Sequence, residues 1–99
     1  MLVSNLLNQL KQRSHIIRGK NIALDEDVAA LYGISVRSLK GIVRRHADRF
    51  SLDLVFQGPK GKYLFTEEGV LLVSSVLKNP RAARISIEII RELFGFKNN

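Results

Sequence analysis

The residues with the most chemistry to offer lie between positions 35 and 49: Ser35, Arg37, Ser38, Lys40, Gly41, Arg44, Arg45 and Arg49. From Val36 through Arg49, five cations stand against the single acid Asp48, a local charge of +4. Guanidinium groups repeated along a helix suit a partner that presents phosphate oxygens and planar hydrogen-bonding edges, which describes a nucleic-acid duplex. Arg37, near the start of the run, is the candidate for a bidentate contact to a guanine edge, a contact type worth about 1–3 kcal/mol of discrimination. Lys40, Arg44 and Arg45 are the candidates for phosphate. Farther on, Lys60 and Lys62 flank Gly61 and could reach phosphate from the tip of a turn.

No comparable set exists for catalysis. His15 and His46 are the only histidines, cysteine is absent, and no His-x-x-x-His pair or carboxylate cluster has the spacing of a metal site. Glu67-Glu68 open an apolar run, where paired acids complement a helix dipole. Gly58-Pro-Lys-Gly-Lys lacks the hydroxyl residue and following helix of a phosphate loop. An enzyme is therefore not expected, and neither a cofactor nor a metal is expected.

The elements needed to position the basic run are legible on both sides of it. Asp25 can cap a helix, with Glu26 and Asp27 in its first turn, running to Tyr32. Gly33 then supplies a left-handed stop, and Ser35 caps a second helix extending through about Arg49. Val28, Ile34, Leu39 and Ile42 point inward and Ala29 is small at the crossing, so residues 25–49 read as a helix-turn-helix. Removing the inward residues leaves Ser35, Val36, Arg37, Lys40, Gly41 and Arg44 on the face that a recognition helix presents to a major groove.

Ahead of the helix-turn-helix segment, Leu2, Leu6, Leu7 and Leu10 predict an N-terminal helix over 1–13. His15–Arg18 and Asn21–Leu24 predict a hairpin turning at Gly19-Lys20. Leu52–Gln57 and Lys62–Phe65 predict a second hairpin, a wing over 52–65. Thr66 begins a Thr-x-x-Gly start to a helix ending near Lys78, Asn79-Pro80 breaks that helix, and a last helix completes a pair over 67–94. The expected fold class is α+β, mostly helical: one winged helix-turn-helix-like domain over 1–99 with two small β-hairpins and a C-terminal helical pair.

Ile17-Arg18-Gly19-Lys20, Leu24-Asp25, Val28-Ala29-x-Leu31-Tyr32-Gly33, Arg49-Phe50, Phe56-Gln57 and Phe65-Thr66-Glu67-x-Gly69-Val70 together resemble the phage ORF-six N-terminal domain, a relative of the KilA-N domain. The resemblance covers about Ser14 to Phe94. It implies a DNA-binding domain of a phage antirepressor or regulatory protein. The chain departs from that pattern at His46, where the family has Asn, at Ser51, where it has Pro, and in a shorter insert over Gly58 to Tyr63.

Composition agrees with a folded nucleic-acid binder. The 99 residues hold 45% hydrophobic and 25% charged side chains, and 16 Lys+Arg against 9 Asp+Glu give a net charge of +7. Without cysteine, and with Lys11 and Arg13 following rather than preceding the first apolar residues, a secreted or membrane-spanning chain is not expected, and a cytoplasmic one is. The apolar residues of Val70–Leu77 and Ile85–Phe94 cover more than one face of each helix. They suggest a homodimer, unless the N-terminal helix covers them, and they leave open an antirepressor-like module that captures a repressor protein.

Overall fold

The computed structural model describes residues 15–17 and 20–94. The expected helix over 1–13, the turn at Gly19 and the stop at Gly95 lie outside the described residues. Four strands and four helices follow in the order β1 (His15–Ile17), β2 (Lys20–Leu24), α1 (Asp25–Tyr32), α2 (Val36–Arg45), β3 (Val55–Gln57), β4 (Tyr63–Thr66), α3 (Glu67–Leu77) and α4 (Pro80–Phe94). The fold is α+β.

Each helix begins and ends for a local reason. α1 ends in a Schellman motif: Gly33 sits at φ 69°, its N–H reaches the Ala30 carbonyl at 3.2 Å, and the Ile34 N–H reaches Ala29 at 3.0 Å. Ser35 then caps α2 as expected, its hydroxyl oxygen accepting the Ser38 N–H at 3.0 Å. Thr66 caps α3 by accepting the Gly69 N–H at 3.1 Å. The Asn79 side chain accepts the Ala82 N–H at 2.8 Å to start α4, with Pro80 in the first turn.

Four sequence expectations are corrected. Asp25 does not cap α1, because strand β2 runs straight into the helix: Leu24 holds the cap position and Asp25 lies inside the first turn, buried. The second helix stops at Arg45 rather than near Arg49. There the His46 carbonyl accepts the N–H groups of Arg49 and Phe50 at 2.8 and 3.0 Å, a tight turn that drives Phe50 into the core. Leu52 to Leu54 form a turn on Ser51, not a strand, and Leu52 is 81% exposed. Finally, the two hairpins are one sheet in the order β1-β2-β4-β3, since β2 pairs antiparallel with β4.

That pairing sets where the core lies. Ala23, Phe65 and Val55 are cross-strand neighbours on one face, and all three are buried against the helices. Val28, Leu31, Leu39, Val73 and Ile85 are fully buried beside them, so all four helices share one core. Two side chains tie the first helix to the last two through long-range bonds. The Tyr32 hydroxyl donates to the Val70 carbonyl at 2.6 Å. Arg81 donates from Nε and Nη2 to the Leu31 carbonyl at 3.2 and 2.9 Å, closing the C-terminal end of α1.

Burial pushes the Tyr32 phenol far above its ordinary value of 10.0. Unfolded chains ionise this group from about pH 10 upward while the folded protein holds its proton, so the associated stability is intact below that pH and falls as pH rises beyond it. Tyr32→Phe is expected to cost about 1 kcal/mol near neutrality through the lost bond. It should also flatten the alkaline fall in urea-unfolding free energy. Parallel alkaline slopes for both proteins would show that Tyr32 is not the group responsible.

Candidate nucleic-acid interface

The sequence Val36-Arg-Ser-Leu-Lys-Gly-Ile-Val-Arg-Arg45 sorts itself by helical period. Leu39, Ile42 and Val43 form the buried seam, and Val36 packs partly against the same core. Opposite that seam, Arg37, Gly41 and Arg44 follow one another at intervals of four and three residues and therefore share the outward face. Ser38 and Arg45 flank this stripe on one side and are exposed; Lys40 flanks it on the other and is half-buried. Arg49 is exposed, but in the turn after the helix.

The expected cations divide into two groups. Lys40 is engaged inside the protein: its ammonium donates to the Gly61 carbonyl at 2.7 Å, lies 3.7 Å from Asp25 Oδ2, and sits 5.1 Å from the Tyr63 ring centroid. Asp25 in turn accepts the Tyr63 N–H at 2.9 Å. Lys62 pairs with Glu26 Oε2 at 2.7 Å, and that hydrogen bond, with the carboxylate's charge behind it, holds the lysine's pKa above its ordinary value. The acidic start of α1 thus matches both lysines. Among the described residues no ion pair engages Arg37, Arg44, Arg45, Arg49 or Lys60.

Ser35 and Ser38 are exposed and joined, Ser35 Oγ donating to Ser38 Oγ at 3.1 Å while it caps the helix. The β3–β4 connection passes through a short 3-10 turn, Pro59–Gly61, in which Lys60 stands exposed at φ 59°. Through the Lys40 to Gly61 bond this turn is fastened beside α2. The sequence reading missed Asp25, Glu26 and Tyr63 as members of this region. The only signal was the Asp25-Glu-Asp27 run, which accounts equally well for a helix dipole.

The C-terminal pair hides much of its apolar surface within the chain. Val70, Val73, Ile85 and Ile89 are buried, Leu71, Leu72, Val76 and Leu77 pack partly against the core, and Ile87 stays 52% exposed. Leu54, Leu71 and Leu72, with Ser74, Ser75 and Ser86, line an open groove of about 440 Å³. Among the described residues no helix is long and apolar enough to cross a membrane. No family model, curated protein or solved structure matches the chain.

Proposed function

We propose that this is a winged helix-turn-helix domain that binds double-stranded DNA sequence-specifically as a transcriptional regulator of phage or mobile-element type, with α2 entering the major groove. One observation carries the reading: α2 turns Arg37 and Arg44 outward, opposite its buried seam, with no carboxylate among the described residues engaging them. A recognition helix has this arrangement, with base-reading residues near its start and phosphate contacts beyond. The β3–β4 hairpin, which follows the two helices, suits a wing, and its tip offers Lys60. The resemblance to the phage ORF-six N-terminal domain supports the same reading. Arg45 and Arg49 are the further phosphate candidates, while Lys40 and Lys62 act by holding the wing.

The test is binding to a duplex selected from random sequence. Arg37→Ala with Arg44→Ala should lower affinity for it about 100-fold or more and leave the circular dichroism spectrum unchanged. The slope of log K against log salt should fall by about 0.9 for each phosphate contact removed. Unchanged affinity and slope in the double variant would refute the placement of α2.

The open groove at Leu54, Leu71 and Leu72 favours one addition, a homodimer through the helical pair, which would present two α2 helices to a palindromic site. Light scattering at high micromolar concentration checks it, and a strictly monomeric species removes the dimer from the reading. The alternative, an antirepressor-like module that captures a repressor protein through the same helices, would bind with little sensitivity to salt.

A further inference from the structure

Every other described glycine has a reason inside the fold. Gly33 and Gly61 have positive φ, and a Cβ on Gly58 or Gly69 would meet the Leu64 side chain or the Leu54 backbone. Gly41 has neither reason. It lies within α2 with no positive φ, and a Cβ built on it would meet only the end of the Arg45 side chain, 3.3 Å from Nη1. Arg45 is exposed and its guanidinium can swing aside. A glycine inside a helix lowers stability relative to alanine, and nothing among the described residues compensates for that. Its position supplies what the fold does not: Gly41 stands in the middle of the outward stripe, four residues after Arg37, three before Arg44 and four before Arg45.

We infer that Gly41 is a positioning residue for DNA, a bare stretch of helix backbone that lets the edge of a base pair approach α2 more closely than any side chain would permit, between the arginines on either side. The inference rests on the duplex-DNA reading and adds to it the point of closest contact. The occupant is a duplex because Arg37, Arg44 and Arg45 around Gly41 are cationic and meet no ion pair among the described residues, a surface that matches a polyanion. Glycine serves the same purpose wherever a backbone and a ligand must come close.

The experiment compares two readouts that a structural role would move together. Gly41→Ala should raise the melting temperature by about 4–8 °C. It should lower affinity for the selected duplex about tenfold or more, while binding to a mixed-sequence duplex pool at low salt stays the same because no charge changes. Arg45→Ala provides the second background: the alanine at position 41 should cost the same factor there, since the obstacle is the Cβ and not a displaced guanidinium. A melting temperature that falls, an affinity that is unchanged or tighter, or a cost that vanishes in the Arg45→Ala background each overturns the inference. A wild-type chain that binds no duplex at all overturns the DNA reading and this inference with it; wild-type binding with an indifferent Gly41→Ala overturns this inference alone.

Discussion

Gly69→Ala is expected to destabilise the protein by about 3 kcal/mol or more, lowering the melting temperature by roughly 15 °C. The methyl group would be placed against the Leu54 carbonyl oxygen, well inside contact distance, with the Val55 side chain 3.4 Å away on the same side. That carbonyl is not free to retreat, because it accepts the Thr66 N–H at 2.9 Å and the Thr66 hydroxyl at 3.2 Å. Nor can the helix retreat easily, since the same hydroxyl oxygen holds the Gly69 N–H. Alanine is the better helix former by about 1 kcal/mol, so propensity alone predicts the opposite sign. The steric term wins because its partner is backbone locked by a cap. Urea unfolding with an unchanged slope and a lower midpoint is the expected result; a variant as stable as wild type would show that the Leu54 turn gives way at little cost.

Gly33→Val should have the next largest effect, about 3 kcal/mol. Part is conformational: at φ 69° an L-residue loses roughly 1–2 kcal/mol, and a β-branched one more. The remainder comes from Arg81, whose Cζ and Nε would lie 3.1 Å from the new Cβ. Displacing that guanidinium removes its bonds to the Leu31 carbonyl and opens the end of α1. Gly33→Ala, which adds the same Cβ without branching, should fall between wild type and Gly33→Val, and Arg81→Ala measured alone and in combination apportions the terms through a double-mutant cycle. If the two single changes were strictly additive, Arg81 would not be part of the glycine requirement.

Local chemistry made most of the frame around α2 readable. Gly33 and Ser35 announce a stop and a start two residues apart, and the Leu39, Ile42, Val43 seam fixes which way Arg37 and Arg44 face. What was not readable depended on contacts across the chain. Nothing local marks the end of α2 at Arg45, where neither Gly nor Pro stands; Phe50 ends it by entering the core. The alternation over Leu52–Gln57 resembles a strand, yet a turn on Ser51 consumes its first half. Charge counting placed Lys40 and Lys62 with the arginines, because a sum over sequence cannot tell which cations meet Asp25 and Glu26 in space.

Five of the long-range links described above share a grammar: a side chain at one end and main chain at the other. Tyr32 reaches the Val70 carbonyl, Arg81 that of Leu31, Thr66 that of Leu54, Lys40 that of Gly61, and Asp25 the N–H of Tyr63. A backbone partner has no identity that a codon change can alter. Val70, Leu31 and Leu54 are therefore free to drift among residues of similar size without breaking a bond, whereas their counterparts carry the whole interaction alone. Among descendants of this chain, the junctions between its elements should leave a record of solitary invariant positions, Tyr32, Thr66 and Arg81, with no correlated substitutions opposite them. Pairwise coupling would concentrate instead at side-chain pairs such as Glu26 with Lys62.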